Sequence, residues 1–361
     1  MSAIVNSVVR KRIDVNALVA KVEGAEALRE LDARGLDFRG RNLSGAIYDH
    51  VDFNGAKFAG IAMRDCTLVG CNFAGADLSD ADFSDSCFVD CVFDDANFAR
   101  AILNSVPIQG GSARRADFAG ADLRDAVFSA CDLGAARLGS AQLEAAALIE
   151  CAAQGLDLDG AQMLRTVFAS IDLSTARLAG MRCEQVVFHR AVFGPAELPH
   201  LELLRSQFME ADLRGANFSG ATLLQSGFKG ALLADARFDG ARAANALFVE
   251  ADVSRATFYG ADLTSALFVD AKAEGTNFGN ARLVQAILHR AKCAGARFDG
   301  ADLEYADFSH ADLRDSVFGS NHWLRTKFHG AQCDARNFPA GQSILLDDPE
   351  LLAAERWPTA S

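Results

Sequence analysis

Nine cysteines and seven histidines give this 361-residue chain material for disulfide, metal or nucleophilic chemistry. Cys66, Cys71, Cys91, Cys131 and Cys151 are separated by multiples of five residues, with 20 between Cys71 and Cys91 and again between Cys131 and Cys151. The histidines, His50, His189, His200, His289, His310, His322 and His329, are scattered. Aspartates crowd one stretch: residues 65–99 hold eight of them and no Lys or Arg. Side chains of these types can bridge, ligate a metal or exchange protons only when one element brings them together. The elements therefore decide which chemistry is open.

All 26 phenylalanines, from Phe38 to Phe338, fall at numbers ending in 3 or 8, and Leu fills most other positions of that register, with Tyr48 and Trp323 among the exceptions. The register runs through 61 pentads without an insertion, and two residues before each centre stands a small residue, Ala in 36 cases and Cys in five. A helix needs recurrence near 3.6 residues and a strand recurrence at 2, so a strict five excludes both as simple elements. A chain that turns a corner every five residues, pointing the centre and the small residue inward, satisfies it; stacked units then bury one another. Of the 31 centres ending in 8, 21 are Phe, against 5 of the 30 ending in 3. Four sides per coil of 20 residues stack these like on like, as in Phe218, Phe238, Phe258, Phe278, Phe298, Phe318 and Phe338, whereas three sides would alternate them.

The motif A-(D/N)-(L/F)-x-x, seen in Ala76-Asp77-Leu78, Ala116-Asp117-Phe118, Ala211-Asp212-Leu213 and Ala301-Asp302-Leu303, resembles that of the pentapeptide-repeat family. The resemblance covers residues 36–338 and implies an all-β solenoid, a right-handed quadrilateral parallel β-helix. At four pentads per coil this is about 15 coils, roughly 73 Å at a strand spacing of ~4.8 Å. The family includes DNA-mimicking topoisomerase inhibitors alongside many bacterial proteins of unassigned role, so function rests on the surface.

The flanks read as caps. Residues 14–33 carry Val15, Leu18, Val22, Ala25, Leu28 and Leu31 at helical spacing, with Asp14 as N-cap and Gly35 as stop, giving an N-terminal helical cap over 1–35. Asp348-Pro349-Glu350 opens a second short helix through Leu351, Leu352 and Arg356, followed by Trp357 and Pro358, within a C-terminal cap or contact segment over 339–361. No run of ~20 apolar residues predicts a membrane span, and no signal-type segment opens the chain, so a cytoplasmic protein is expected.

Placed on the coil, the reactive residues separate. The five cysteines named above take the inward small position, Cys183, Cys293 and Cys333 take centres, and only Cys87 points elsewhere. Stacked parallel side chains point alike, so free buried thiols are expected rather than disulfides. His289 and His329 share a column but stand two coils, ~9.6 Å, apart, too far for one metal. No phosphate loop or catalytic constellation appears. The reading is no enzyme, no cofactor and no metal.

The outer walls differ. At the two positions beside each centre, the wall centred on 48, 68, 88 and onward carries non-Ala apolar residues at 14 of 30 sites, against 2 of 32 on the opposite wall. Val127, Ile149, Val167, Val187, Met209, Leu247, Val249, Leu267, Val269 and Ile287 are the candidate contact residues, with Val69 and Val89 above them and Leu164, Leu204 and Leu224 beside them. Over roughly eleven coils this stripe approaches ~500 Å², an area that on a monomer marks a contact site. The opposite wall runs Arg137, Asp157, Arg177, Glu197 as an alternating ion ladder. The expected function is a protein-interaction scaffold or adaptor for a protein partner or a homo-oligomer, a bacterial secretion-effector accessory by family association, with no direct nucleic-acid binding. The alternative is a DNA mimic acting on a type II topoisomerase, DNA gyrase or topoisomerase IV, through Asp77, Asp80, Asp82, Asp85, Asp90, Asp94 and Asp95. Against it, residues 36–338 carry 28 Lys and Arg and 39 Asp and Glu, a net of −11, where duplex DNA of equal length carries about 43 charges.

Overall fold

A computed structural model describes residues 10–333, 344–347 and 349–355; Phe338, Asp348, Arg356, Trp357 and Pro358 lie outside them. The chain divides into two compact units, Met1–Arg182 and Cys183–Ser361. Each is a parallel β-solenoid, with about 16 turns in all.

In the first unit the strands Ile47–Asp49, Thr67–Val69, Cys87–Val89, Pro107–Gln109, Val127–Ser129, Ala147–Ile149 and Val167–Ala169 pair in parallel, each with the next of the series at an interval of 20 residues. The other walls carry mostly single-residue bridges at the same interval, such as Asp77↔Asn97 and Ile102↔Asp122, with a strand at Gln162–Leu164. Twenty residues at five per side make four walls, as the Phe alternation requires. Corners close by a turn bond, Ala96 N to Phe93 O at 3.0 Å, with Asp95 at φ 59°. That left-handed conformation suits Gly and is tolerated by Asp, which is why corner residues are so often one or the other. At Gly111, φ is +71° and a Cβ would meet the Cys91 carbonyl oxygen at 1.9 Å, so here only glycine fits.

In the second unit the core is built from ring ladders. Phe208, Phe228, Phe248 and Phe268 stack at 4.6–4.9 Å, and Phe218, Phe238, Phe258, Phe278, Phe298 and Phe318 at 4.6–5.3 Å. The two ladders meet edge to face, as in Phe248 and Phe258 at 5.4 Å and 85°, a favourable arrangement of ring quadrupoles.

The N-terminal helix is shorter than the sequence reading placed it. Helix α1 spans Val15–Glu23, with Asp14 accepting from Ala17 N at 2.9 Å and Leu18 buried. Gly24 ends it, and Ala25 at φ 53° turns the chain away, well before Gly35. Leu28 and Leu31 are not helix-face residues but strand residues of the solenoid: Leu28 pairs with Tyr48, and Lys11 with Leu31. The repeat register therefore begins upstream of residue 36, and Leu28 and Ala33 already stand on it. At the other end Ile344–Leu345 pairs in parallel with Thr326–Lys327 at an offset of 18 residues, Thr326↔Ile344, before helix α2, Pro349–Glu355. No helix among the described residues is long and apolar enough to cross a membrane.

Candidate interaction surfaces

The wall singled out for its apolar flanks is the one that forms continuous strands in the first unit. Its two outward columns read Thr67, Cys87, Pro107, Val127, Ala147, Val167 and Val69, Val89, Gln109, Ser129, Ile149, Ala169. None of these twelve positions is charged. Val127 is 37 % exposed, and Val69, Val89, Ile149 and Val167 are half-buried. A β-branched residue on at least one flank of most of these coils favours the extended backbone. Leu164, half-buried, lies on the adjoining wall.

In the second unit the pentads of the same register carry the strand Val187–His189 and then bridges, Val187↔Gln207 and Leu247↔Leu267↔Ile287. Val187, Val249, Leu267 and Val269 are half-buried; Met209, Leu247 and Ile287 are each 38 % exposed. Gly227 and the exposed Lys229 separate Met209 from the Leu247–Ile287 group. The structure thus brings Leu247, Val249, Leu267, Val269 and Ile287 into one patch and leaves Val187 and Met209 beside a break. Ile287 also borders a cleft lined by Leu345 and Leu346, so the C-terminal segment reaches this end of the wall.

The acidic stretch is less bare than its linear composition. Arg100 pairs with Asp80 through two bonds of 2.8 and 2.7 Å, and Arg115 with Asp95 through two of 2.7 and 2.6 Å, each from the next coil. Arg64 pairs with Asp82. Hydrogen bonds from Arg100 and Arg115 hold the Asp80 and Asp95 carboxyls below the usual carboxylate range. Burial pulls Asp82 up, but bonds from Ser84 and the Arg64 charge leave it lowered as well. Asp77 accepts from Ser79 Oγ at 2.7 Å and Asn97 Nδ2 at 3.1 Å, and Asp94 from Arg114 N at 2.9 Å. Asp85 and Asp90 carry no ion pair among the described residues. The opposite wall pairs as Arg137 with Asp117 and Arg177 with Asp157 and Asp159, so Arg137 reaches back a coil rather than forward to Asp157.

All nine cysteines are free thiols. Those at the small position share one partner: Sγ of Cys66, Cys71, Cys91, Cys131 and Cys151 donates to the carbonyl of Leu43, Tyr48, Leu68, Ile108 and Phe128, 23 residues earlier, at 3.2–3.5 Å. Ser86, Thr166, Ser226, Thr276 and Thr326 do the same with their hydroxyls. The bond from its stacked partner thiol and burial together raise Cys71, and burial pushes Cys183 up to about 12.

Two groups of possible metal ligands come together that the column argument passed over: His310, His329 and Glu355, and the more open Asp302, Glu304 and His322. His289 and His329 are indeed two coils apart, but His310, a corner residue, stands between them. Glu355 comes from the C-terminal segment. A search for corner histidines one coil from a centre-flanking histidine would have found the pair, though not the glutamate.

Profiles of two pentapeptide families match the chain: "Pentapeptide repeat region" over 41–118 and 61–138, and "Pentapeptide repeats (8 copies)" over 187–225, 226–264, 266–304 and 288–319. No curated protein sequence matches. Among solved structures, HetL, a pentapeptide repeat protein involved in heterocyst differentiation regulation from the cyanobacterium Nostoc sp. strain PCC 7120, is 19% identical over 84% of this chain and 98% of its own, with a TM-score of 0.21. Full-length QnrB1, a plasmid-mediated fluoroquinolone resistance protein, is 18% identical over 91% of this chain and 97% of its own, with a TM-score of 0.14. A pentapeptide repeat protein from the Arabidopsis thaliana thylakoid lumen is 32% identical over 29% of this chain and 66% of its own, with a TM-score of 0.18.

Proposed function

The chain belongs to the pentapeptide-repeat family, and from that premise we propose that it is a non-enzymatic scaffold that takes a protein partner, or a second copy of itself, on its apolar wall. The observation that carries this reading is the uncharged face of the first unit, twelve consecutive outward positions on six strands from Thr67 to Ala169. Solvated sheet faces are normally studded with charge, and an extended face without it is suited to a dry contact. The patch of Leu247, Val249, Leu267, Val269 and Ile287 supports the same use of the second unit. In this reading the protein works in the bacterial cytoplasm as an adaptor, of the kind that accompanies secreted effectors.

The DNA-mimic reading has Asp77, Asp85, Asp90 and Asp94 in its favour, since none of them is ion-paired among the described residues, Asp77 and Asp94 accepting only from neutral donors. It loses Asp80, Asp82 and Asp95, whose charges are matched by arginines one coil away. A protein that offers a topoisomerase the charge of a duplex needs those carboxylates uncompensated.

The test is capture of the partner from the native host, together with self-association measured by sedimentation, for the unmodified chain and for Val127→Glu, on the uncharged strand face, combined with Leu267→Glu, in the second patch. Each substitution places an unpaired charge in a dry contact. Loss of capture or self-association with unchanged circular dichroism is expected; retention of both would overturn the wall as the contact surface.

A further inference from the structure

The histidines of the second unit converge where its regular coils end. Ring centroids of His289 and His310 lie 5.3 Å apart, and those of His310 and His329 5.4 Å. Glu355, the last residue of α2, faces the second pair: Oε1 is 3.4 Å from His310 Nε2 and Oε2 is 3.4 Å from His329 Nε2. One ligand atom from each of the three residues lies within 4.8 Å of the others. His329 is only 8 % exposed. The group borders a cleft of about 560 Å³ that Asp307 and Lys327 also line.

We propose that His310, His329 and Glu355 form a binding site for a divalent transition metal, Zn²⁺ by its ligand chemistry, which fastens α2 to the last coils of the second unit. The distances are the first argument. An N–H···O bond prefers 2.7–3.2 Å, and both contacts, at 3.4 Å, are longer. Two ligands each ~2.1 Å from a tetrahedral ion stand about 3.4 Å apart. The carboxylate therefore keeps the edge length of a coordination polyhedron from both imidazoles.

The ligand types are the second argument. Two imidazoles and one carboxylate suit Zn²⁺, whereas Ca²⁺ and Mg²⁺ take oxygen sets. The cleft leaves room for water as the fourth ligand. His289 stays outside the set, because Arg290 Nη1 donates to its Nδ1 at 3.1 Å, which leaves the ring proton on Nε2. The neighbouring cations are already matched, Arg290 by Asp270 and Lys327 by Asp307.

The seat is built as well. Gly330, at φ +62°, lies under the His310 ring, and a Cβ there would stand 2.5 Å from Nδ1. Gly330 N donates to Asp347 Oδ1 at 2.7 Å, tying the C-terminal segment to the same corner. A solenoid end exposes unpaired strand edges that need covering. A metal joining α2 to His310 and His329 would hold that cover in place, and it would do so whatever binds the apolar wall.

The experiment uses the full chain, stripped with chelator and titrated with Zn²⁺ by calorimetry and with Co²⁺ by visible absorption. One equivalent is expected at micromolar metal, with the ligand-field band of a four-coordinate Co²⁺ centre. His310→Ala and Glu355→Ala should each weaken binding by more than about 100-fold, beyond the ~10–100-fold cost of losing a merely supporting residue. His322→Ala and Cys333→Ser should leave it unchanged. Zn²⁺ should slow hydrogen exchange over residues 344–355 in the unmodified chain and not in His310→Ala. No binding at micromolar Zn²⁺ or Co²⁺, binding that survives both ligand substitutions, or binding lost with Cys333→Ser would overturn the proposal.

Discussion

Cysteine at the small inward position acts as a hydrogen-bond donor that happens to contain sulfur. Five cysteines and five hydroxyl residues occupy equivalent places and donate to the equivalent carbonyl, 23 residues back. A thiolate could not donate, so the raised pKa of Cys71 is consistent with its role. It follows that Cys71 and Cys91 should react with a maleimide only after denaturation, whether or not the protein is first reduced. Mass spectrometry of the native protein checks this; a loss of two hydrogens mapped to that pair would mean a disulfide. At the N-terminal edge, Asp32 is hydrogen-bonded by Arg34 and Arg12, which hold its carboxyl far below the usual range. A carboxyl lowered by folding adds stability that is complete above its unfolded value near ~3.9 and disappears as pH falls through the folded value. Hydrogen-exchange protection over residues 10–35, corrected for the intrinsic pH dependence of exchange, should therefore fall as the pH is taken below ~4, sooner than in the second unit, where Asp212, Asp235, Asp270 and Asp312 lose their arginine bonds as well but the Phe ladders still hold the coils.

At the scale of the coil, the ring ladders carry the packing. Phe258 stacks on Phe238 at 4.6 Å and on Phe278 at 5.3 Å, and meets Phe248 and Phe268 edge-on. Phe258→Ala should cost ~3–5 kcal/mol in denaturant unfolding, because stacked rings on fixed coils cannot collapse into the space. Hydrogen exchange should loosen in the flanking coils first, as nearest-neighbour stacking demands; uniform loosening would contradict it. This much was legible in the sequence, since Phe258 and its partners announce themselves by number alone. The coil count was legible to within one turn, and the error arose at Leu28 and Ala33, which satisfy a helical spacing and the pentad register at once. Gly24 decided between them, and a C-cap glycine is a weaker signal than six apolar residues. Glu355 was out of reach for another reason: it lies beyond the repeat, where no register says which corner it will meet. His310 stood on the register but at a corner, and corner side chains reach sideways to the neighbouring coil rather than along a column.

Over the whole molecule, charge illustrates why a solenoid cannot be read as a line. Residues 65–99 contain eight aspartates and no cation, yet Arg64, Arg100 and Arg115 lie just outside the stretch in sequence and one coil away in space. An interval of 18 to 20 residues, invisible in a composition window, converts an acidic run into a set of surface pairs. Each such pair contributes little to stability in water, but those at Asp80, Asp82 and Asp95 match three of the eight charges and weaken the field that a mimic of duplex DNA depends on. On this account the unmodified protein should not inhibit gyrase supercoiling at micromolar concentration, and Asp80→Lys with Asp85→Lys should change nothing in that assay. The wall substitutions Val127→Glu and Leu267→Glu should be equally silent there while abolishing capture of the protein partner. If supercoiling is instead inhibited, and the inhibition is relieved by the two aspartate changes alone, then Asp85 and its unpaired neighbour Asp90 outweigh the matched carboxylates, and the acidic surface rather than the apolar wall is what the molecule presents to its partner.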